Sequence, residues 1–227
     1  NVNFNNTLTN VTTLSATNNS GAITTTVNAT TGFVDNAITA GTNGASVLLG
    51  AGNDNIGFTT TASKTSTVKL GAGDDKLLLK AAGAVAGATY VFGEAGNDTI
   101  KIHNASLALT TSDLIDGGEG TDTLVIDNAP TAPAANQMVL RGIEKLTLTN
   151  NATVANVINS ADSAIAVTVE AGKTAAATDA SITGLTSGST VTVNDSKDAT
   201  GGVAALTVGY KALEAAATID VNSVEAD

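Results

Sequence analysis

The amino-acid sequence predicts an all-β fold: a right-handed parallel β-helix or β-roll solenoid, in which each repeat is one coil stacked on the last. Three observations predict it. One short phrase rich in Gly and Asp is written four times between Gly50 and Leu124, each time running into an apolar residue. Thr, Ala, Asn and Val dominate the composition, with four Phe, two Tyr and no Trp, which suits a thin core better than a thick sandwich. Short segments of period-two alternation recur outside the repeated phrase. The right-hand sense follows the general handedness of parallel crossovers.

Residues 1–48 read as strands separated by polar turns: NVNFNNTLTN, TTLSAT, AITTTVNATTGF and NAITAG. Asp35 lies 19 residues before Asp54 and echoes the later aspartates, but no Gly-x-Gly precedes it. This stretch is expected to form degenerate coils.

Residues 49–128 carry the phrase itself, as GAGNDNI from Gly50, GAGDDKL from Gly71, GEAGNDTI from Gly93 and GGEGTDTL from Gly117. The aspartates Asp54, Asp75, Asp98 and Asp122 are 21, 23 and 24 residues apart, and Ile56, Leu77, Ile100 and Leu124 follow them. A loop–acid–strand unit at that period marks a solenoid. Strands are expected at Val47–Leu49, Thr67–Leu70, Lys76–Lys80, Thr89–Phe92, Thr99–Ile102 and Thr123–Asp127, with far-side turns at Ala81–Ala88 and Asn104–Asp113.

Asn128–Gln137 contains both prolines, Pro130 and Pro133, which cannot donate to a β-ladder; a break or excursion is expected there. Residues 129–227 then continue with RGIEKLTLTNNATV, AIAVTVEAG, SITGLTSGSTVTVND, GGVAALTVGY and AATIDVNS, strand-like coils without the phrase. Lys211–Ala217 has the composition of a short helix, too short to decide.

The chemistry of the phrase follows from its residue types. Glycine allows positive φ, so a Gly-x-Gly loop turns sharply and aims main-chain carbonyls inward. A carboxylate just after those carbonyls adds charge to an all-oxygen pocket, which suits calcium, a hard cation taking about 6–8 oxygens. The candidate metal-binding residues are Gly50, Gly52 and Asp54; Gly71, Gly73 and Asp75; Gly93, Gly96 and Asp98; and Gly117, Gly118, Gly120 and Asp122. One loop supplies too few oxygens, so each ion is expected between two stacked loops, about three ions for the four loops. Asn53, Asp74, Asn97 and Thr121, one place earlier, are expected at a solvated rim or as backbone ligands. An ordinary Asp-Gly turn explains one such phrase. Four in register, each followed by an apolar strand residue, do not fit that explanation.

These phrases resemble the G-G-x-G-x-D-x-apolar-x nonapeptide of RTX proteins, a calcium-binding β-roll repeat. The copy at Gly117 fits fully; Glu94 replaces the second glycine in the copy at Gly93, and Leu49 and Leu70 replace the first glycine in the earlier two. The spacing departs from the nine-residue period of pure arrays, and half-coils such as TTTASKTSTVKL carry no phrase. One calcium-bearing edge and one plain edge are therefore expected. The run from the last phrase through TDTLVIDNA into GIEKLTLTN at Gly142 resembles surface-layer (S-layer) proteins of Gram-negative bacteria, which leave the cell by type I secretion. That resemblance covers about residues 47–150. It implies a secreted, structural, self-assembling cell-surface protein; any contact with cell-surface polysaccharide would come through sequence outside this chain. An RTX adhesin or matrix spacer is the alternative it allows, and the calcium roll of a secreted hydrolase a weaker one.

Composition narrows the classes further. A formal charge of −11 argues against nucleic acid or anionic lipid as partners. No hydrophobic run approaches membrane-spanning length, so membrane insertion is not expected. Lack of cysteine means only that disulfides contribute no stability. The chain starts at Asn1 without an initiator methionine and reads as a segment of a larger protein.

No catalytic set is legible. AGKT at Ala171–Thr174 resembles the end of a phosphate loop, but Val167 stands where its first glycine belongs. His103 is the sole histidine and is expected in a solvated turn, which removes most general-base and zinc schemes. Ser187 in GLTSGS lacks the G-x-S-x-G elbow. Eight Asn-x-Ser/Thr sequons reflect the Asn- and Thr-rich composition, and Tyr90 and Tyr210 read as strand residues.

Overall fold

The computed structural model of the chain describes residues 2–4, 8–11, 13–25, 38–40, 43–60, 64–81, 87–103, 109–127, 136–149, 155–170, 178–196, 203–211 and 218–224. Its strands pair in parallel into two sheets, and the chain alternates between them. The first sheet stacks Val2–Phe4, Ile23–Thr25, Asn55–Thr60, Lys76–Ala81, Thr99–Ile102, Thr123–Ile126, Lys145–Thr149, Ala166–Glu170, Thr190–Ser196 and Thr218–Val224. Leu8–Val11 and Ile38–Ala40 join it beside Asn55–Thr60. The second sheet stacks Thr13–Ser15, Ser46–Leu48, Ser66–Ala72, Thr89–Ala95, Leu114–Glu119, Asn136–Arg141, Ala155–Ser160, Thr178–Leu185 and Val203–Tyr210. One strand from each sheet makes one coil, so the chain is a parallel β-solenoid. There is no helix among the described residues.

The core is a set of apolar columns, one residue per coil. Ile56, Leu77, Ile100, Leu124, Leu146, Val167 and Val191 stack in register and are fully buried. Phe58, Leu79, Ile102, Ile126, Leu148, Val169 and Val193 form a parallel column two residues on. Val47, Val68, Val91, Ile115 and Leu140 face them from the second sheet. Each such side chain contributes roughly 1.5–3 kcal/mol by burial. Like stacks on like because every coil offers the same narrow interior. The four apolar residues expected after the acids thus begin the first column.

The turns are tighter than the phrases imply. Strands Ser66–Ala72, Thr89–Ala95 and Leu114–Glu119 run through Gly71, Gly93, Gly117 and Gly118, which leaves only residues 73–75, 96–98 and 120–122 to reverse direction. One register position bends each strand end by left-handed backbone: Gly71 at φ +103°, Glu94 at +78° and Gly118 at +99°. A Cβ at Gly71 would lie 1.9 Å from the carbonyl oxygen of Gly50, so the close approach of coils also demands glycine there.

Pairing crosses the proline segment, since Thr123–Ile126 pairs with Lys145–Thr149 and Asn136–Arg141 with Leu114–Glu119. Asn136 and Gln137 open a strand, and residues 128–135 lie outside the described residues, as do Asp35, 82–86, 104–108, 171–174 and 212–217. The edge expected to be plain carries no phrase but has a polar ladder of its own. Ser66 Oγ accepts from the N–H of Ala45 (3.2 Å), Asp113 Oδ1 from Thr89 (2.6 Å) and Asn136 Oδ1 from Leu109 (3.2 Å), while Asn136 Nδ2 donates to Asn156 Oδ1 (2.9 Å). These side chains satisfy main-chain donors that the turns leave inside the roll.

Candidate metal centre

The residues following the four aspartates are direct partners on neighbouring strands: Asn55 with Lys76, Lys76 with Thr99, Thr99 with Thr123. The acids therefore stand in one column, each at the tight turn from second sheet to first. All four are buried, between 0% and 2% exposed. Each reaches back one coil. The N–H of Ile23 donates to Asp54 Oδ1 (2.5 Å), that of Asp54 to Asp75 Oδ1 (2.6 Å), that of Asp75 to Asp98 Oδ1 (2.8 Å) and that of Asp98 to Asp122 Oδ1 (2.7 Å).

The second oxygen of every one of these carboxylates, Oδ2, is buried and has no hydrogen-bond partner. A buried acceptor without a partner is costly, a charged one more so. Asp113 on the opposite edge shows what a satisfied aspartate looks like: its Oδ2 accepts from Thr110 N–H (2.8 Å) and Thr110 Oγ1 (2.9 Å). The same column further along shows that the main-chain role needs no charge. Ser189, in register with Asp122 through Glu144 and Ile165, accepts from the N–H of Ile165 with a neutral hydroxyl (2.9 Å). Four carboxyl groups, each with an idle oxygen, thus stand where serine suffices.

Their titration reflects this. Burial pushes the Asp75 carboxyl up to about 8, and the neighbouring acids Asp98, Asp54 and Asp74 add to the shift. Burial likewise raises Asp98 to about 6, helped by Asp122 and Asp74. Asp54 and Asp122 are raised too, first by burial. In each case the hydrogen bond from the preceding coil opposes the shift without cancelling it.

The glycines frame the column. At Gly93 a Cβ would lie 2.2 Å from Asp98 Oδ2 and 2.1 Å from Gly117 O, so these two oxygens converge on the space a side chain would fill. At Gly96 it would lie 1.9 Å from Gly73 O, and at Gly120 1.9 Å from Gly96 O. At Gly50, Gly52 and Gly73 the nearest atoms likewise include carbonyl oxygens of the preceding coil, those of Asn19, Gly21 and Gly52. Where the first glycine is replaced, Leu49 and Leu70 are buried instead.

Outside the carboxylate column runs the expected rim. Asn53 Oδ1 accepts from Asp74 N–H (3.0 Å), Asp74 Oδ1 from Asn97 N–H (2.7 Å) and Asn97 Oδ1 from Thr121 N–H (3.0 Å), all exposed. Hydrogen bonds from Asn97 hold Asp74 below the usual carboxylate range. This ladder points forward along the stack while the buried one points back.

No group of three or more His, Cys, Asp or Glu side chains surrounds one point among the described residues. A cation here would take one carboxylate oxygen per coil and complete its shell from main-chain carbonyls. The donor set is all oxygen, anionic and spaced by adjacent coils, which fits calcium. Elsewhere, His103 is half-exposed with Nδ1 3.1 Å from Asp127 Oδ2, and Ser187 lies in a turn with no histidine near it in sequence. Tyr90 and Tyr210 end up in strands as expected, the latter donating from its hydroxyl to Ser189 O (3.0 Å). No protein-family model, curated protein or solved structure matches the chain.

Proposed function

We propose that the chain is a structural, calcium-dependent solenoid of a self-assembling S-layer, secreted and displayed on the cell surface. The observation that carries this reading is the column of four buried carboxylates, each with one idle oxygen, on a position that a neutral serine fills three coils later. Asp54, Asp75, Asp98 and Asp122, with the carbonyls of the framing glycines, are the residues that would hold the ions. Bound calcium supplies positive charge to oxygens that otherwise repel, and so ties folding of the middle coils to the calcium concentration outside the cell. Extracellular modules bind with Kd of about 10⁻⁴–10⁻³ M, a range in which the roll would stay weak in calcium-poor cytosol. In the in-register row Lys101, Val125, Thr147, Thr168, Thr192 and Asp220, the four middle residues point outward and are short and uncharged, the stretch on which a second copy would lie.

Circular dichroism and thermal melts in calcium and in EDTA test the cation. A β spectrum and melting temperature unchanged by EDTA would defeat the calcium reading. Electron microscopy after calcium addition tests the assembly: ordered two-dimensional sheets support the S-layer, whereas persistent monomers favour a spacer in an adhesin.

A further inference from the structure

We infer that the metal-binding column extends one coil beyond the repeated phrases, with Glu144 completing a cation site together with Asp122. The inference rests on the calcium reading above and adds a ligand that no Gly-Asp phrase announces. Glu144 takes the next place in the acid column, because Lys145 pairs with Thr123 exactly one residue on from each acid. Its Oε2 accepts the N–H of Asp122 (2.8 Å), the same backward bond that each aspartate makes to the coil before it. The turn here is shorter: Glu144 stands two positions after Gly142, where Asp122 stands five after Gly117. One extra methylene lets a glutamate reach from the shorter turn to the donor that an aspartate reaches elsewhere.

The cradle is repeated as well. At Gly117 a Cβ would lie 2.1 Å from Gly142 O and 2.5 Å from Asp122 Oδ2, matching the arrangement of Gly93 with Gly117 O and Asp98 Oδ2 one coil earlier. Asp122 is wholly buried and its Oδ2 is unpartnered, so an idle charged oxygen points into this space. The N–H of Gly142 is held by Asp162 (3.1 and 3.2 Å to its two oxygens) on the following coil, which fixes the peptide at the cradle. After Glu144 the column passes to Ile165, so the site at Glu144 closes the series.

The test is calcium titration of the decalcified full chain by calorimetry, with bound calcium counted by atomic emission, for wild type, Glu144→Gln and, as a charge-matched control, Glu170→Gln on the outer face. Gln keeps an oxygen for Asp122 N–H, and Ser189 shows that a neutral acceptor sustains the coil, so the variant should show the wild-type β spectrum in EDTA. The expected result is one calcium equivalent fewer for Glu144→Gln and no loss for Glu170→Gln. Equal stoichiometry and affinity in all three would overturn the site at Glu144 and leave the four-aspartate column standing. Absence of calcium binding in the wild type would overturn the underlying reading too.

Discussion

Replacing Asp75 by Asn separates the two tasks of the acid column. Asn keeps an oxygen for the N–H of Asp54, now bonded at 2.6 Å, and removes the charge from the oxygen that has no partner. Asp75 has an acid on either side in the column, Asp54 and Asp98, so it would serve two ions. At calcium tenfold to a hundredfold above Kd, each ion stabilises the fold by about 1.4–2.7 kcal/mol. Loss of both therefore costs roughly 3–5 kcal/mol, or roughly 6–20 °C in Tm for a chain of this size. Asp54→Asn, at the end of the column, touches one ion and should cost about half as much. In EDTA the sign changes. Burial has already pushed the Asp75 carboxyl up to about 8, so at neutral pH folding without a cation must protonate it at a cost that Asn does not bear, and the Asn variant should melt at or above the wild type. Thermal melts of both variants in excess calcium and in EDTA give the comparison. An equal loss of Tm in the two buffers would mean that the carboxylate acts only as a main-chain acceptor, and the argument for a cation would fail.

The apo protein should lose stability as pH rises. Asp75 and Asp98 have folded-state values of about 8 and about 6 against 3.8 when unfolded, so between these limits the folded chain holds more protons than the unfolded one. Melts in EDTA should fall from the ordinary carboxylate range up to about pH 8, and calcium should flatten or reverse that slope because it binds the deprotonated form; a flat apo profile contradicts the burial argument. Gly96→Ala should destabilise by about 3 kcal/mol with or without calcium, because its Cβ would lie 1.9 Å from Gly73 O at a residue whose φ is +133°. Glu94→Gly should move the other way. It relieves a left-handed backbone (φ +78°) worth about 1–2 kcal/mol and gives up only an exposed ion pair with Lys69 (3.3 Å). Urea midpoints of the two variants should fall on opposite sides of the wild type.

The sequence shows most clearly what the fold repeats in kind. Asp54, Asp75, Asp98 and Asp122 and the apolar residues two places on are spelled the same way in every coil, so their stacking and the start of the first core column are legible in the sequence, whereas the burial of the acids is not. Glu144 was legible only as part of a strand-like phrase, because its turn lacks Gly-x-Gly and sets the acid two residues after the glycine instead of five. The opposite ladder was missed for a different reason. Ser66, Asp113 and Asn136 do one job with three residue types, and the connections between them vary in length. No pattern of letters marks a task that any short polar side chain performs. The strand ends were misplaced because a glycine at positive φ reads as a turn, whereas here Gly71 and Gly118 bend a strand that keeps pairing.

One column of the solenoid thus changes character along its length while its geometry stays fixed. From Asp54 to Glu144 it is built of carboxylic acids; at Ile165 it is apolar, and at Ser189 neutral and polar. The backbone at this position is satisfied equally by a carboxylate (2.7 Å at Asp122) and by a hydroxyl (2.9 Å at Ser189). Geometry alone therefore does not account for the acids, and their burial opposes folding unless positive charge arrives. In a solenoid each coil contacts only its neighbours, so stability is a sum of local terms. A charge deficit confined to consecutive middle coils weakens the link between the coils on either side without touching their cores. Under the proposed calcium binding, dependence on the cation is a property of this joint, and control over the continuity of the stack lies in a few turns of chain.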